Sequence, residues 1–399
     1  MMRSNDNEPE IVVEYRDPRE GFKGWLVIDR TVHRICAGGM RIQPGLSREH
    51  LCEMARNMTL KMRIADLRVD GAKSGIDYDP NSPGKTAAVA RFLKAIAPYI
   101  RQVYSMGPDL NIDMNELQAV AARQSIPSVK MAIARAQGWE MAYFLKRSAI
   151  LSETIDGFSL ARLRAGYGVA AAVLAMLKFL GIKPAKASIA IQGFGNLAKA
   201  ALFGLDRAGC RIVAVADVEK CVINQQGIDL KELLGSNSPV TNHGISHSGL
   251  TNLPSGKRLQ TAESQAILAC ECDILVPAAL ENTVTPEIAE KLQVKGVVPG
   301  ANLAVPIESD AILYRRGIPV LPDFLAGCGG SLSMEGLYGP DFHPTAREVL
   351  DHVESRMGEL VRQAIDVGKA GKCSLREAAL RICAERKDHP DSRPYGRPE

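Results

Sequence analysis

Two lysines give the first chemical signal in this chain. Lys61 closes the stretch NMTLK at the margin of a helical face formed by Leu51, Met54, Met58, Met62 and Ala65, and Lys73 follows twelve residues later in DGAKSGI. The small residues around Lys73 would let a small molecule approach its ammonium closely. Two ammonium groups aimed at one cleft depress each other's pKa, and burial adds to that; one could then anchor a carboxylate while the other works as acid and base. On spacing alone, two unrelated surface lysines would be the better reading. Asp109, in GPDLN, reads by itself as a turn or cap residue.

The second signal is a nucleotide loop. Gly193, Gly195 and Ala198 set out the pattern G-x-G-x-x-A between the apolar run SIAIQ and a helical stretch, the context that a dinucleotide fingerprint requires. Gly193 permits the tight turn, Gly195 lets backbone approach a pyrophosphate, and Ala198 allows close packing of helix on strand. Phe194, Asn196 and Leu197 complete the loop at the helix N-terminus that would face the phosphates. Asp217 ends the next apolar run, where a carboxylate can accept hydrogen bonds from the ribose hydroxyls and repel an additional phosphate. That favours NAD; Lys220 nearby weakens the preference and keeps NADP as the alternative.

These residues need two supporting bodies. At 399 residues the chain exceeds what one core usually serves. The first third alternates strand-like runs (EIVVEY, GWLVID) with a helical stretch from about 48 to 65 that Ser47 can cap. From about 183 the order becomes strand, glycine turn, helix, strand, followed by the buried-strand patterns DILVPAAL, VKGVVPGAN and GIPVLPD. The expected fold class is α/β with two domains, a mixed α/β substrate domain and a Rossmann-type doubly wound NAD(P)-binding domain. The expected boundaries are 1–150 for substrate binding and oligomerisation, 151–334 for the nucleotide domain, 335–385 for C-terminal helices packing back on the first domain, and 386–399 for a disordered tail with three prolines. The Ser-, Asn-, Gly- and Pro-rich stretch 236–256 reads as a surface loop, its His243 and His247 facing solvent rather than a metal.

Composition narrows the partners. Hydrophobic residues make up 46% and charged residues 24%, an ordinary globular balance, and a net charge of +4 without a basic run argues against nucleic acid. No signal-like or bilayer-length apolar run is evident, so no membrane partner and a cytoplasmic location are expected. Nine widely spread cysteines, an odd count, point to reduced thiols, with Cys270 and Cys272 as core residues and no metal site.

A series of motifs ties the two signals together: GGMR at 38–41, MTLK ending at Lys61, GAKSGI around Lys73, GPDLN around Asp109, IQGFGN, CDILVPAALEN, PGAN ending at Asn302, and PDFLAGCGG. In this order they resemble the Glu/Leu/Phe/Val dehydrogenases over about 38–330, most of the chain. The resemblance implies a homo-oligomeric enzyme that oxidatively deaminates an L-amino acid to the 2-oxo acid and ammonia. It further implies that Lys61 holds the substrate α-carboxylate with the Gly38–Gly39 backbone, that Lys73 is the catalytic lysine and Asp109 its proton-shuttling partner, and that Ala278, Ala279 and Asn302 lie by the cofactor.

Specificity is read from the pocket. In the glutamate members resembled, a lysine directly before the Gly-Gly binds the distal carboxylate and a serine after the final Gly-Gly assists; here Ala37 and Met334 stand at those positions. A buried carboxylate without partners is costly. With Gly107 leaving room, and Ser331 as an unplaced polar residue, the pocket reads as one for a bulky apolar or aromatic amino acid such as Leu, Phe or Trp. Glutamate dehydrogenase is the alternative, supported by the nucleotide-domain segments, and a catalytically weak NAD-binding regulator is another. The regulator reading comes from three departures: Ala165 where a threonine is usual, Gly327 and Cys328 where Asn-Ala is usual, and Asp70, whose charge near Lys73 would raise its pKa.

Overall fold

A computed structural model of the chain describes residues 8–230, 233, 250 and 259–396. The described residues form two compact units, 8–149 with 386–396, and 150–385. His243 and His247 lie outside the described residues.

The first unit is built on a five-stranded sheet of β1 (Ile11–Arg16), β2 (Lys23–Ile28), β3 (Cys36–Ile42), β4 (Asp70–Ile76) and β5 (Tyr104–Pro108), in the order β1-β2-β4-β3-β5. β3 runs parallel to β4 and β5, while β2 is antiparallel to β1 and β4. Successive strand residues face opposite sides, and here the sides differ in chemistry. Cys36, Met40 and Ile42 of β3, Ala72 and Ile76 of β4, and Tyr104 and Met106 of β5 enter one apolar core. α2 (Lys85–Gln102) and α3 (Met114–Ala122) close that core with Phe92, Leu93, Ile96 and Leu117. The opposite side carries Ala37, Gly39 and Arg41, Gly71, Lys73 and Gly75, and Ser105 and Gly107. α1 (Arg48–Ile64) packs there, begun by Ser47, whose Oγ accepts from the His50 N–H at 3.2 Å. Two short helices, α4 (Ala132–Gln137) and α5 (Met141–Ser148), complete the unit.

In the second unit a two-residue hairpin, β6 (Thr154–Ile155) and β7 (Phe158–Ser159), leads into α6 (Leu160–Phe179). The main sheet contains β8 (Ser188–Gln192), β9 (Arg211–Ala216), β10 (Lys220–Ile223), β11 (Gln260–Glu263), β12 (Cys272–Pro277) and β13 (Val294–Val297), in the order β11-β10-β9-β8-β12-β13. β8, β9, β12 and β13 are parallel, and β10 and β11 form an antiparallel edge. The predicted strand GIPVLPD is reduced to one parallel bridge, Val297 to Val320. α7 (Asn196–Arg207) connects β8 to β9, and the order reverses at β8, with β9 on one side and β12 on the other. This is a doubly wound nucleotide-binding topology with its switch point at β8.

The C-terminal helices differ from the expectation of packing on the first domain. After α8 (Pro286–Ala289), α9 (Ile307–Arg315) and α10 (Asp323–Ala326), the helices α11 (Gly329–Tyr338), α12 (Ala346–Gly371) and α13 (Leu375–Glu385) belong to the second unit. α12 buries Val349, Val353, Met357, Leu360 and Ala364 in a helical stripe and packs on α6. Gly168 makes the close approach: a Cβ there would stand 2.5 Å from the Gly329 Cα and 3.5 Å from Val353 Cγ1. α6 itself is apolar and long enough to span a bilayer, but most of it is buried as the core helix of this unit.

The tail also departs from the sequence reading. Instead of being disordered, residues 386–396 pack on the first unit: Arg63 donates to Asp388 at 2.6 Å, Arg68 to the Arg393 carbonyl at 2.6 Å, and Tyr395 is only 2% exposed. Its prolines and charges carry no periodicity, so only the folded positions of those arginines reveal the binding.

Candidate active site

Lys73 is on β4, not in a loop as its glycine-bearing neighbours suggested. Strand alternation sends it to the same side as Arg41, and Asp109 lies at the end of the adjoining strand. There the Lys73 Nζ is 3.0 Å from Asp109 Oδ2, and the Arg41 Nε donates to the same oxygen at 2.8 Å. The Asp109 N–H donates to the Met40 carbonyl at 3.0 Å, extending the β3–β5 ladder by one bond and fixing the carboxylate. Arg41 was in view within GGMR, yet sequence reasoning gave it no role; β3 alternation, which places it with Gly39, was the available signal.

Electrostatics separates the two groups. Burial pushes the Lys73 pKa down; Asp109 opposes this, Arg41 and Lys61 reinforce it, and the net displacement is downward. Burial alone would raise the Asp109 pKa, but Lys73 and Arg41 overcome it and hold the carboxyl well below the usual range. The pair therefore combines a lysine eased toward its neutral form with a carboxylate kept ionised. Asp70 is not among the main influences on Lys73. Its carboxylate accepts from the His33 N–H at 2.6 Å and pairs with His33 Nδ1 at 2.9 Å, so the expected rise is replaced by the effect of burial.

Glycines bring the backbone this close. A Cβ on Gly38 would stand 1.7 Å from the Ala72 carbonyl oxygen, and one on Gly39 would stand 2.9 Å from Asp109 Cβ. At Gly71 it would meet the Thr59 nitrogen at 2.2 Å, which shows how tightly the last turns of α1 sit on β4. This contact carries Lys61, buried in the last turn of α1, among the charges that act on Lys73. Ala37 pairs with Ser105 and Gly39 with Gly107. The space over Gly107 is not apolar: a Cβ there would lie 3.8 Å from the ammonium nitrogen of Lys130, a buried residue in the turn before α4. Sequence reasoning missed Lys130, because a turn residue has no face to predict.

The second unit carries the remaining predicted residues. Gly193 adopts φ +111°, a region that L side chains avoid, and its Cβ would lie 2.8 Å from the Ala278 carbonyl oxygen. Gly195 caps α7 with open space in front of it: an added Cβ meets nothing within 4 Å. The first helical bond runs from Lys199 N–H to the Gly195 carbonyl, so the N–H groups of Asn196, Leu197 and Ala198 have no acceptor within the helix. Phe194 lies under Lys199, whose Nζ is 4.6 Å from the ring centre. This geometry fits a pyrophosphate.

Around the loop, the Ala278 N–H donates to the Gln192 carbonyl, and Gly300 and Ala301 both donate to the Pro277 carbonyl, bringing the ends of β8, β12 and β13 together. Ala279 is exposed, and Asn302 is half-buried just beyond β13. Asp217 directly follows β9, and its carboxylate also accepts from the Glu219, Lys220 and Leu250 N–H groups. Ser331 and Met334 lie on α11, Ser331 half-buried and Met334 buried. Arg164 of α6 ties this helix down by donating to the Gly330 carbonyl at 2.8 Å and to Ser333 Oγ at 3.0 Å.

None of the nine cysteines is in a disulfide; eight are buried, and burial raises the pKa of Cys270 and Cys272. Among the described residues no cluster of His, Cys, Asp and Glu could hold a metal.

Fold and residue pattern find the same match in known proteins. Residues 157–388 match the family model for glutamate/leucine/phenylalanine/valine dehydrogenase, and residues 9–125 match the Glu/Leu/Phe/Val dehydrogenase dimerisation domain. The glutamate dehydrogenase of Thermotoga maritima is 31% identical over 317 residues, covering 78% of this chain and 71% of that protein. The NAD-specific glutamate dehydrogenase of Peptoniphilus asaccharolyticus is 29% identical over 394 residues, covering 93% and 88%. Among solved structures, a hetero-hexameric glutamate dehydrogenase from Thermus thermophilus in its leucine-bound form superposes with a TM-score of 0.76 at 26% identity, covering 95% of this chain and 88% of that one. The protein is thus an amino-acid dehydrogenase, an oxidoreductase acting on a CH–NH2 group. It belongs to the Glu/Leu/Phe/Val dehydrogenase family.

Proposed function

We propose that this chain reversibly deaminates L-glutamate to the 2-oxo acid and ammonia, with NAD as hydride acceptor and NADP as the alternative. The observation that carries the chemistry is the 3.0 Å pair of Lys73 and Asp109, in which the lysine is buried with a lowered pKa and the carboxylate is held ionised. Glutamate is supported by the relatives, which are glutamate dehydrogenases. The bulky apolar substrate expected from Ala37, Gly107, Ser331 and Met334 has no such support.

Lys61 and the Gly38–Gly39 backbone hold the α-carboxylate. Gly193, Phe194, Gly195, Asn196 and Leu197 hold the pyrophosphate of the dinucleotide, Asp217 its adenosine ribose, and Ala278, Ala279 and Asn302 its nicotinamide end. When bound, the dinucleotide supplies the acceptor for the hydride leaving Cα. Lys73, as the neutral amine, takes a proton from the water that adds to the substrate iminium carbon. Asp109 relays a proton to the nitrogen as the C–N bond breaks, so ammonia leaves and the carbonyl forms. We place the enzyme in the cytoplasm, as a homo-oligomer assembled through the first unit, which matches the dimerisation domain.

The test is the initial rate of NADH or NADPH formation with L-Glu, L-Leu, L-Phe and L-Trp, with Lys73→Ala as control. Turnover of glutamate that is lost in the control supports the reading. Turnover confined to the apolar amino acids overturns the substrate assignment, and no turnover with any of them overturns the activity.

A further inference from the structure

We propose that the C-terminal segment 386–396 is a positioning strap for the two lysines of the active site: Asp388 holds the end of α1 that carries Lys61, and the His33–Asp70 pair holds the start of β4 that carries Lys73. The inference rests on the roles given to those lysines above and adds the residues that set one relative to the other. The strap and the elements it binds all lie within the first unit.

The interval between the lysines comprises the end of α1, a turn at 65–69 and the first residues of β4. The chain bends there at Asp66, a residue other than glycine with φ +60°, a conformation that persists only where its surroundings hold it. The strap grips the bend from both sides. Before it, Arg63 donates to the Asp388 carboxylate at 2.6 Å and to the Arg386 carbonyl at 2.5 Å. At the bend, the Arg386 side chain pairs with Asp66 at 3.3 Å. After it, Arg68 Nε donates to the Arg393 carbonyl at 2.6 Å and Arg68 Nη2 to the Gly396 carbonyl.

The loop 29–35 carries the second attachment. The Asp29 N–H donates to the Gly71 carbonyl and the Asp70 N–H to the Ile35 carbonyl, each at 2.9 Å, so both ends of this loop are fastened to the start of β4. Asp29 also accepts from Thr59 Oγ1 of α1 at 2.5 Å. The strap lies on the loop: Asp388 pairs with Arg30 at 3.2 Å, the Asp391 carbonyl accepts from Arg34, and the His389 N–H donates to His33 Nε2 at 3.5 Å. In a neutral imidazole an accepting Nε2 leaves the proton on Nδ1, which here faces Asp70 Oδ1 at 2.9 Å. The side chains of this pair are 6% and 4% exposed, and Asp70 stands three residues before Lys73 on the same strand. Asp70, a departure by sequence, is thus the point where the strap reaches β4.

Position matters because the two lysines serve one substrate from different elements, and a displacement of about 1 Å can cost about 100-fold in rate. Lys61 is also among the charges that act on Lys73, so a shift of α1 is felt by both.

The experiment uses the full-length enzyme and the amino acid that wild type turns over fastest among L-Glu, L-Leu, L-Phe and L-Trp, each variant assayed well below its melting temperature. In Asp388→Ala, KM for the amino acid is expected to rise about tenfold with kcat within about twofold, since Lys61 anchors the α-carboxylate; Asp388→Glu should recover most of that loss. In His33→Ala, kcat is expected to fall about tenfold, since Lys73 acts in the chemical step; His33→Asn, which keeps an N–H donor for Asp70, should return it to within about threefold of wild type. KM for NAD should stay within about twofold throughout, because the nucleotide loop belongs to the second unit. If melting temperatures fall while KM and kcat of both alanine variants stay within about twofold of wild type, the strap only staples the fold: the inference is overturned and the reading of the lysines stands. A rise in KM for NAD that matches the rise for the amino acid overturns it as well. If wild type turns over none of the amino acids, or Lys73→Ala keeps wild-type turnover, the reading of the lysines falls, and this inference with it.

Discussion

Asp109 Oδ2 is shared by two cations, Lys73 at 3.0 Å and Arg41 at 2.8 Å, so the carboxylate couples the lysine on β4 to the arginine on β3. Arg41 acts on the protonation of both Lys73 and Asp109, and those two act on each other, which makes the pH dependence of this enzyme a direct readout of the arrangement.

With neutral Lys73 as the active base in the proposed reaction, kcat/KM should rise with pH through its pKa. Asp109 raises that pKa and burial lowers it, with burial the larger influence. Asp109→Asn removes the raising influence, so the rising limb should move to lower pH while kcat falls about 10²- to 10⁴-fold with the relay lost. A limb that moves to higher pH would contradict the assignment.

Arg41 acts on Lys73 in the opposite sense, lowering its pKa by charge repulsion. Arg41→Gln should therefore shift the rising limb to higher pH. The two variants give shifts of opposite sign, and equal shifts in one direction would show that neither charge is felt at Lys73. A full pH profile of each, measured beside wild type, decides it.

The glycines of the nucleotide loop should separate stability from binding. Gly193→Ala places a Cβ at φ +111° and 2.8 Å from the Ala278 carbonyl oxygen, and should cost about 1–3 kcal/mol in thermal or denaturant unfolding. Gly195→Ala meets open space and should leave stability within about 0.5 kcal/mol while raising KM for NAD at least about tenfold. An unchanged KM in Gly195→Ala would remove the pyrophosphate from this loop.

Removing the chain after Glu385 should lower Tm by about 5 °C, because Tyr395 is buried at 2% exposure and Arg63 and Arg68 lose their partners in the tail. Differential scanning calorimetry of the truncated and full chains measures this directly. Identical melting would mean that the packed tail contributes nothing.

The sequence by itself determined the α/β class and the two-part organisation, because short-range rules fix them: residue periodicity and glycine turns. It offered the Gly193–Gly195 loop as a candidate by the same rules, and Lys61, Lys73 and Asp109 as candidates only through the order of motifs that resembles a family. It placed Lys73 in a loop, since the glycines of β4 mimic turn chemistry when their reason is the close approach of α1 and β3. It sent the C-terminal helices to the wrong unit and left the tail disordered, because an amphipathic stripe says that a face is buried without naming its partner, and an arginine says nothing of which carbonyl it will meet. Only the tertiary structure joined Arg41 to Asp109, paired Asp70 with His33 and away from Lys73, and set the Lys130 ammonium over Gly107. Each of those contacts joins residues distant in sequence or crosses from a turn to a strand, and charge coupling across such distances exists only once the sheet has brought the groups within a few ångströms of one another.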